Sequence, residues 1–180
     1  MKTEISESMR LAKTAQQFLT EREWSYELAR KDNTQKHNFR THVTINRQTY
    51  SVFIDTDEDQ EVVEVYLYSP FSLDSKRVHE LAVILNRINM RLVLGRFATD
   101  DDDDSNPIQW KAAIDVEGGS LSVDQLSTMV SAGCGSFRQH AELLSVVGFT
   151  KCSVDEAWDE FMKRQAQEKE DATTDVPVEL

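Results

Sequence analysis

FRTHVTINRQTYSVFIDTDEDQEVVEVYLY, residues 39–68, is the stretch whose reading decides the fold. Phe39, Thr41, Val43 and Ile45 fall on alternate positions, so an extended chain puts them on one face. Asn46-Arg47-Gln48 makes a short turn, and Tyr50, Val52 and Ile54 alternate on the way back. After an acidic loop, Val63, Val65 and Leu67 alternate once more. β-Branched and aromatic residues dominate, as a pleated, half-buried surface prefers. These runs predict an antiparallel meander. If Val52, Ile54, Val63, Val65 and Leu67 face the helices, then Phe53, Tyr66 and Tyr68 face the other way. Aromatic residues grouped on an uncovered sheet face are the signature of an interaction surface, for a partner or for a second copy of the chain. The competing reading is that the first or last helix covers them.

Outward from this stretch, helices and further strands alternate. Ile5, Met9, Ala12, Ala15 and Leu19 give one apolar stripe and predict a helix over 5–22. Trp24, Tyr26 and Leu28 alternate like a strand, and the polar run 30–38 reads as a loop. Downstream, Asp74 or Ser75 can cap a helix whose stripe is Val78, Leu81, Ala82, Leu85 and Ile88. Leu92–Ala98 predicts a strand, Asp100–Asp104 a loop, and Ile108, Trp110, Ala112 and Ile114 another strand. Glu117-Gly118-Gly119 is a turn. Ser122 with Gln125 is a capping box that opens a long helix, with Gly148 as its stop. Gly133 and Gly135 inside that helix point to close packing or a bend. Ser153 with Glu156 opens a short last helix carrying Trp158 and Phe161. The predicted fold class is therefore α+β, an antiparallel β-meander with helices packed on one face. The predicted organisation is one domain over 1–163 and a disordered acidic tail over 164–180.

Charge narrows the partners. The 180 residues hold 20 lysines and arginines against 32 acids, for a net charge of −12. Residues 1–50 are net +3 and the rest net −15, counted from the sequence as nine bases against six acids and eleven against twenty-six. A basic front and an acidic remainder allow electrostatic self-association, although the acid also serves solubility alone. An acidic chain has no basic excess with which to release counterions from a nucleic acid, so none is expected as partner. No apolar stretch approaches a membrane span, and MKTEISESMR lacks the apolar core of a signal peptide. The expectation is a cytoplasmic protein that neither crosses nor binds a membrane. Cys134 and Cys152, without CxxC spacing, read as structural thiols.

The chemistry-bearing patterns are thin. Asp55, Asp57 and Asp59 are spaced like the start of a calcium loop, but Gln60 stands where the turn glycine belongs and Tyr66 where the terminal glutamate belongs. Asp100–Asp104 fails in the same way, with Ser105 and Lys111 at those places. If the 74–90 helix carries a right-handed crossover, the two acidic loops lie at opposite ends of the sheet and share no ion. His37, His42, His79 and His140 are scattered, and neither cysteine has ligand spacing to them. No HExxH, GxSxG, phosphate loop or GxGxxG occurs. No catalytic residue, no metal and no cofactor is predicted.

SPFSLDSKRVHELAVILNRINMRLVLGRF, residues 69–97, carries a proline after a strand, a helix, two asparagines near its end and a glycine in the next strand. Those are Pro70, Asn86, Asn89 and Gly95. With IQWKAAIDVEGGSLSVDQL, residues 108–126, this pattern resembles the YbjN family of bacterial sensory transduction regulators over roughly residues 5–148. The resemblance implies a two-layer sandwich like that of the type III secretion chaperones, which are small, acidic, dimeric proteins that hold extended segments of partner proteins. It carries no catalytic residues to transfer. Asparagine near a helix end can bond local backbone groups, and Gly95 permits close approach across a strand.

The expectation is a non-enzymatic binding module, chaperone-like or regulatory, that takes an extended segment of a protein or peptide partner along a sheet edge or over the open face. A homodimer is expected, with Phe53 or Tyr66 in the contact or beside it. The alternative is a small-ligand sensor or enzyme with an unrecognised site.

Overall fold

The structure is a computed structural model that describes residues 5–6, 8–30, 35–72, 75–99 and 107–174. The first helix, α1, runs Arg10–Glu21 and buries Leu11, Ala12, Ala15, Phe18 and Leu19. It starts five residues later than its periodicity predicts. Met9 takes non-helical dihedrals and offers no capping acceptor, although Ile5 still reaches the core.

Strands β1 (Glu27–Arg30), β2 (Lys36–Ile45), β3 (Gln48–Asp57) and β4 (Val62–Ser72) form the predicted antiparallel meander. The β2–β3 turn places Asn46 at φ 49° and Arg47 at φ 66°, the paired left-handed residues of a two-residue hairpin whose twist suits the flanking strands. Asp55 and Asp57 belong to β3 itself, so only Asp59 sits in the acidic turn. There the Asp57 carboxylate accepts from the backbone N–H groups of Asp59 and Gln60, both at 3.2 Å.

A single 3₁₀ turn at Ser75–Arg77 leads into α2 (Val78–Asn89). Ser75 thus opens the turn rather than capping α2, and Asp74 lies outside the described residues. The buried stripe of α2 is Leu81, Ile84, Leu85 and Ile88; Ala82, expected in it, is exposed. Strand β5 is shorter than predicted, Arg96–Thr99, and pairs with β6 (Pro107–Asp115). The predicted loop Asp100–Asp104 lies outside the described residues. Gly95 explains the late start of β5. Its φ is +72°, and a Cβ there would stand 2.1 Å from the Trp110 indole and 2.9 Å from the Lys111 carbonyl oxygen. Leu92 and Leu94 alternate, but the chain turns at Gly95 before it can extend.

The sheet order is β1-β2-β3-β4-β6-β5, antiparallel at every join. β5 therefore runs parallel to β4 with β6 between them, and α2 carries the crossover. The capping box of α3 (Val123–Phe149) forms both bonds: Gln125 N–H to Ser122 Oγ at 3.1 Å and Ser122 N–H to the Gln125 side chain at 2.8 Å. A Cβ on Gly133 would lie 2.7 Å from Trp110 and 2.9 Å from Leu67, so this glycine lets α3 settle onto the sheet. Nothing lies within 4 Å of a Cβ on Gly135, which therefore has no packing role of that kind. Gly148 does not stop α3. It is buried inside the helix, which ends one residue later with Thr150 extended.

The last helix, α4 (Val154–Thr174), opens on the Ser153–Glu156 box, with bonds of 3.2 and 3.1 Å. It runs through residues 164–174, which the sequence predicts to be disordered; residues 175–180 lie outside the described residues. Strong helix formers (Gln165, Ala166, Gln167, Glu168, Lys169) continue a helix already anchored by buried Ala157 and Phe161. Arg164–Glu142 at 2.5 Å and Gln139–Gln165 at 3.0 Å tie it to α3.

The four helices among the described residues lie on one face. Val52, Ile54, Val63, Val65, Leu67, Ile108 and Trp110 are fully buried between sheet and helices. This is the predicted α+β class in its predicted layering, and no described helix is long and apolar enough to cross a membrane.

Candidate functional site

Strict alternation carries Phe53, Tyr66 and Tyr68 to the face opposite the helices, and the structure brings all three together. Phe53 and Tyr66 are direct cross-strand partners. The Phe53 and Tyr68 rings meet edge-on at 5.4 Å between centroids, and Tyr66 and Tyr68 stack at 6.3 Å. Among the described residues, no helix packs over this face, and the three rings are half-buried by one another and by their sheet neighbours.

Register extends the cluster into a row across five strands: Arg40, Phe53, Tyr66, Lys111 and Arg96 stand side by side from β2 to β5. Arg40 lies over the Phe53 ring at 5.6 Å, and the Lys111 ammonium over the Tyr66 ring at 4.8 Å. Two and four residues along β3, β4 and β6, carboxylates enter the face, while on β2 Asn38 and Lys36 stand beside them, Lys36 paired to Asp57 at 2.7 Å. Asp55 and Glu64 form the next row, and Asp57 and Asp115 the row beyond. The face is therefore divided into an aromatic–cationic band and an acidic band.

Glu64 joins the two bands. It receives Lys111 at 2.6 Å and the Tyr66 hydroxyl at 2.8 Å. Burial alone would raise the Glu64 pKa, but these two donors outweigh it and hold the carboxyl below its usual range. Burial would lower Lys111; its bonds to Glu64 and Tyr66 reverse that, and the ammonium is held above its ordinary value. Burial pushes the Tyr66 phenol up. All three groups keep their neutral-pH charge states. They form a fixed polar clasp rather than a proton-transfer site.

A sheet edge is expected from the sequence as an alternative to the open face, without residues assigned to it, and one edge is a second candidate. β1 pairs only with residues 37–40 of β2, so the outer edge of residues 41–45 has no strand partner among the described residues. Beside it lies an open groove of about 420 Å³, floored by Phe18, Trp24, Val43 and Val130 and rimmed by Arg22 and Arg138. The free thiol of Cys134 lines it. Among the described residues, no group of three or more His, Cys, Asp or Glu side chains is placed to hold a metal ion.

The YbjN family model, described as "Putative bacterial sensory transduction regulator", matches residues 14–144. The chain belongs to the YbjN family. The match runs from within α1 through most of α3, and α4 lies outside the matched residues. Among solved structures, YbjN from E. coli is similar over 72% of this chain and 90% of that one, at 17% identity and a TM-score of 0.51. That likeness shows a shared fold. A chain of the HopA1–SchA chaperone–effector complex is similar over 76% of this chain and 96% of that one, at 16% identity and a TM-score of 0.47. No curated protein matches the chain.

Proposed function

We propose that this YbjN-family chain is a non-enzymatic, cytoplasmic protein-binding module, chaperone-like or regulatory, which works as a homodimer and holds an extended segment of a partner protein. The observation that carries the reading is the uncovered, charge-divided aromatic face. Half-buried aromatic rings flanked by arginines are the residue types that concentrate binding energy at protein interfaces. Arg40 and Arg96 stand in that band with no carboxylate partner among the described residues.

The division of charge favours a symmetric pair. A two-fold axis across the face sets the cationic band of one copy against Asp55 and Asp115 of the other, Asp57 being held by Lys36, so one patch serves both subunits. The free edge at residues 41–45 then remains for the extended segment. A small-ligand sensor or enzyme is the second reading, because a groove of about 420 Å³ falls in the size range of ligand pockets.

Light scattering coupled to size exclusion tests the pair. About twice 20.6 kDa is expected for the wild type, falling to 20.6 kDa in Phe53→Ser/Tyr66→Ser. A wild-type species of 20.6 kDa at tens of micromolar, unmoved by salt, refutes the dimer. Binding is tested by capture from the native host with wild type and variant, each identified by mass spectrometry, alongside a thermal-shift screen of metabolites. Metabolite shifts without a captured protein favour the sensor.

A further inference from the structure

The groove beside β2 has an electrostatic character at odds with the rest of the molecule. The chain is net −12, yet the groove contains no carboxylate. Instead it presents Arg22, Arg138 and His42 around an apolar floor. Neither arginine is spent on an ion pair among the described residues. Arg22 stacks on the Phe18 ring at 4.1 Å and donates to Ser127 Oγ at 2.5 Å, which holds its guanidinium in place while leaving its charge unneutralised. Arg138 sits one turn after Cys134 on the same wall of α3, with its side chain exposed.

The backbone beside the groove is equally unfinished. β2 is ten residues long and β1 only four. Among the described residues, the 41–45 edge is held at one point, where Thr41 Oγ1 donates to the Ser25 carbonyl at 2.7 Å. Within residues 42–45, alternate residues aim their N–H and C=O groups outward, a ready template for an added strand. An added strand presents its side chains alternately to the two faces, so an apolar residue at every second position suits a floor of Phe18, Trp24, Val43 and Val130.

We infer that this groove, on the reading that the chain holds an extended partner segment, selects an acidic one: a strand of a partner protein with alternating apolar residues, paired to residues 42–45 of β2, its carboxylates meeting Arg22 and Arg138. Charge complementarity decides the occupant. A basic segment would meet two unneutralised guanidinium groups, while an acidic one relieves them and is repelled by most of the remaining surface. The row of Arg40, Lys111 and Arg96 on the sheet face is the other cationic surface, so protection of Cys134 is the readout that places the segment in the groove.

The test uses the full chain in a Cys152→Ser background, so that Cys134 is the only thiol, and three fluorescein-labelled hexapeptides: alternating Val-Glu, alternating Val-Lys and alternating Val-Thr. Anisotropy at low salt is expected to show the Val-Glu peptide binding at least tenfold more tightly than either other peptide. It should also slow maleimide labelling of Cys134 several-fold, which locates it in the groove. Arg138→Glu should cut Val-Glu affinity about tenfold and Arg138→Lys by much less. Equal affinity for Val-Glu and Val-Thr overturns the acidic selectivity while sparing the extended-segment reading. Failure of all three peptides, or binding that leaves Cys134 labelling unchanged, removes the groove as a site; a partner captured through Phe53 and Tyr66 would still stand. If labelling without peptide accelerates when residues 175–180 are removed, or slows with protein concentration, the occupant is this chain's own end or a second copy. Either result overturns the partner assignment.

Discussion

The two edges of this sheet obey one physical constraint in opposite ways. Every edge strand exposes unpaired backbone groups. At β5 the chain covers them. The Asn89 side chain, reaching back from the end of α2, accepts from the Phe97 N–H at 2.7 Å and donates to the Phe97 carbonyl at 2.9 Å. One amide group thus reproduces the two bonds of a neighbouring strand. Behind it, Phe97 packs on Phe137 at 5.0 Å, and Gly95 lets the Trp110 indole lie against the backbone. At β2, by contrast, residues 42–45 have a groove beside them and no such clasp. The difference teaches that a closed edge is built from side chains that tolerate little change. At the open edge Val43 and Ile45 pack inward, while the exposed His42 and Thr44 form no such clasp.

Gly95→Val should break the closed edge most severely. The new side chain meets an indole and a backbone carbonyl, and φ +72° is strained for any β-branched residue. A loss of about 3 kcal/mol or more is expected in urea unfolding, or a Tm lower by roughly 6–12 °C for a chain of this size. A loss under ~1 kcal/mol would show that β5 is not seated as described.

Asn89→Ala should cost about 2 kcal/mol, because it strands the partly buried N–H and C=O of Phe97 together. Hydrogen exchange at the Phe97 amide should accelerate more than at the Trp110 amide, and self-association should rise with concentration as the edge opens. An unchanged Phe97 exchange rate would mean that the clasp does not close the edge.

How far the sequence reveals these features depends on the range of the forces involved. Period-two alternation is local, so Phe53, Tyr66 and Tyr68 were legible as a cluster from their spacing alone. Asn89 stood out by resemblance and by the habit of asparagine at helix ends, yet its partner lies eight residues on, across a turn that Gly95 creates. Leu92 and Leu94 read as strand because alternation is blind to a positive φ. The tail after residue 164 read as disordered because its composition is polar, but helix propensity and contacts to Gln139 and Glu142 carry α4 to Thr174. Arg22 and Arg138 come together only through the packing of α1 against α3, and no local pattern connects them.

Acid should loosen the closed side selectively. His140 is buried between Phe97 and Phe161, at 6.1 and 5.3 Å between centroids, and its Nδ1 hydrogen is donated to the Ser136 carbonyl at 2.8 Å. Burial holds its pKa below the ordinary value, against the pull of that carbonyl and with added repulsion from Arg91. Well above about pH 6.5 the ring is neutral in both states and contributes no pH dependence. As pH falls below that value, the unfolded chain takes up a proton that the folded chain refuses, so stability declines. Unfolding midpoints at pH 7.5 and 5.5 should differ more in the wild type than in His140→Gln. Equal differences would refute the assignment.

The smallest effect belongs to the open edge. Thr44 is exposed, pairs across the hairpin with Thr49, and makes no side-chain hydrogen bond among the described residues. Nothing in the fold depends on its hydroxyl or its methyl. Thr44→Lys should therefore leave stability within about 0.5 kcal/mol of the wild type, the ordinary range for a surface substitution away from caps and cores. A lysine on an edge strand is nonetheless a device against strand addition, because an incoming strand must desolvate the ammonium or push it aside. The wild-type and Thr44→Lys proteins should thus share an unfolding midpoint and differ in capture of the Val-Glu hexapeptide. The attraction of the new charge for that peptide would work against the block, so the comparison is made at high salt, where screening weakens attraction and leaves the steric effect. A Thr44→Lys protein that unfolds more readily by more than ~1 kcal/mol would place this edge among the structural ones, and the contrast between the two edges would fail at the point where it is most easily measured.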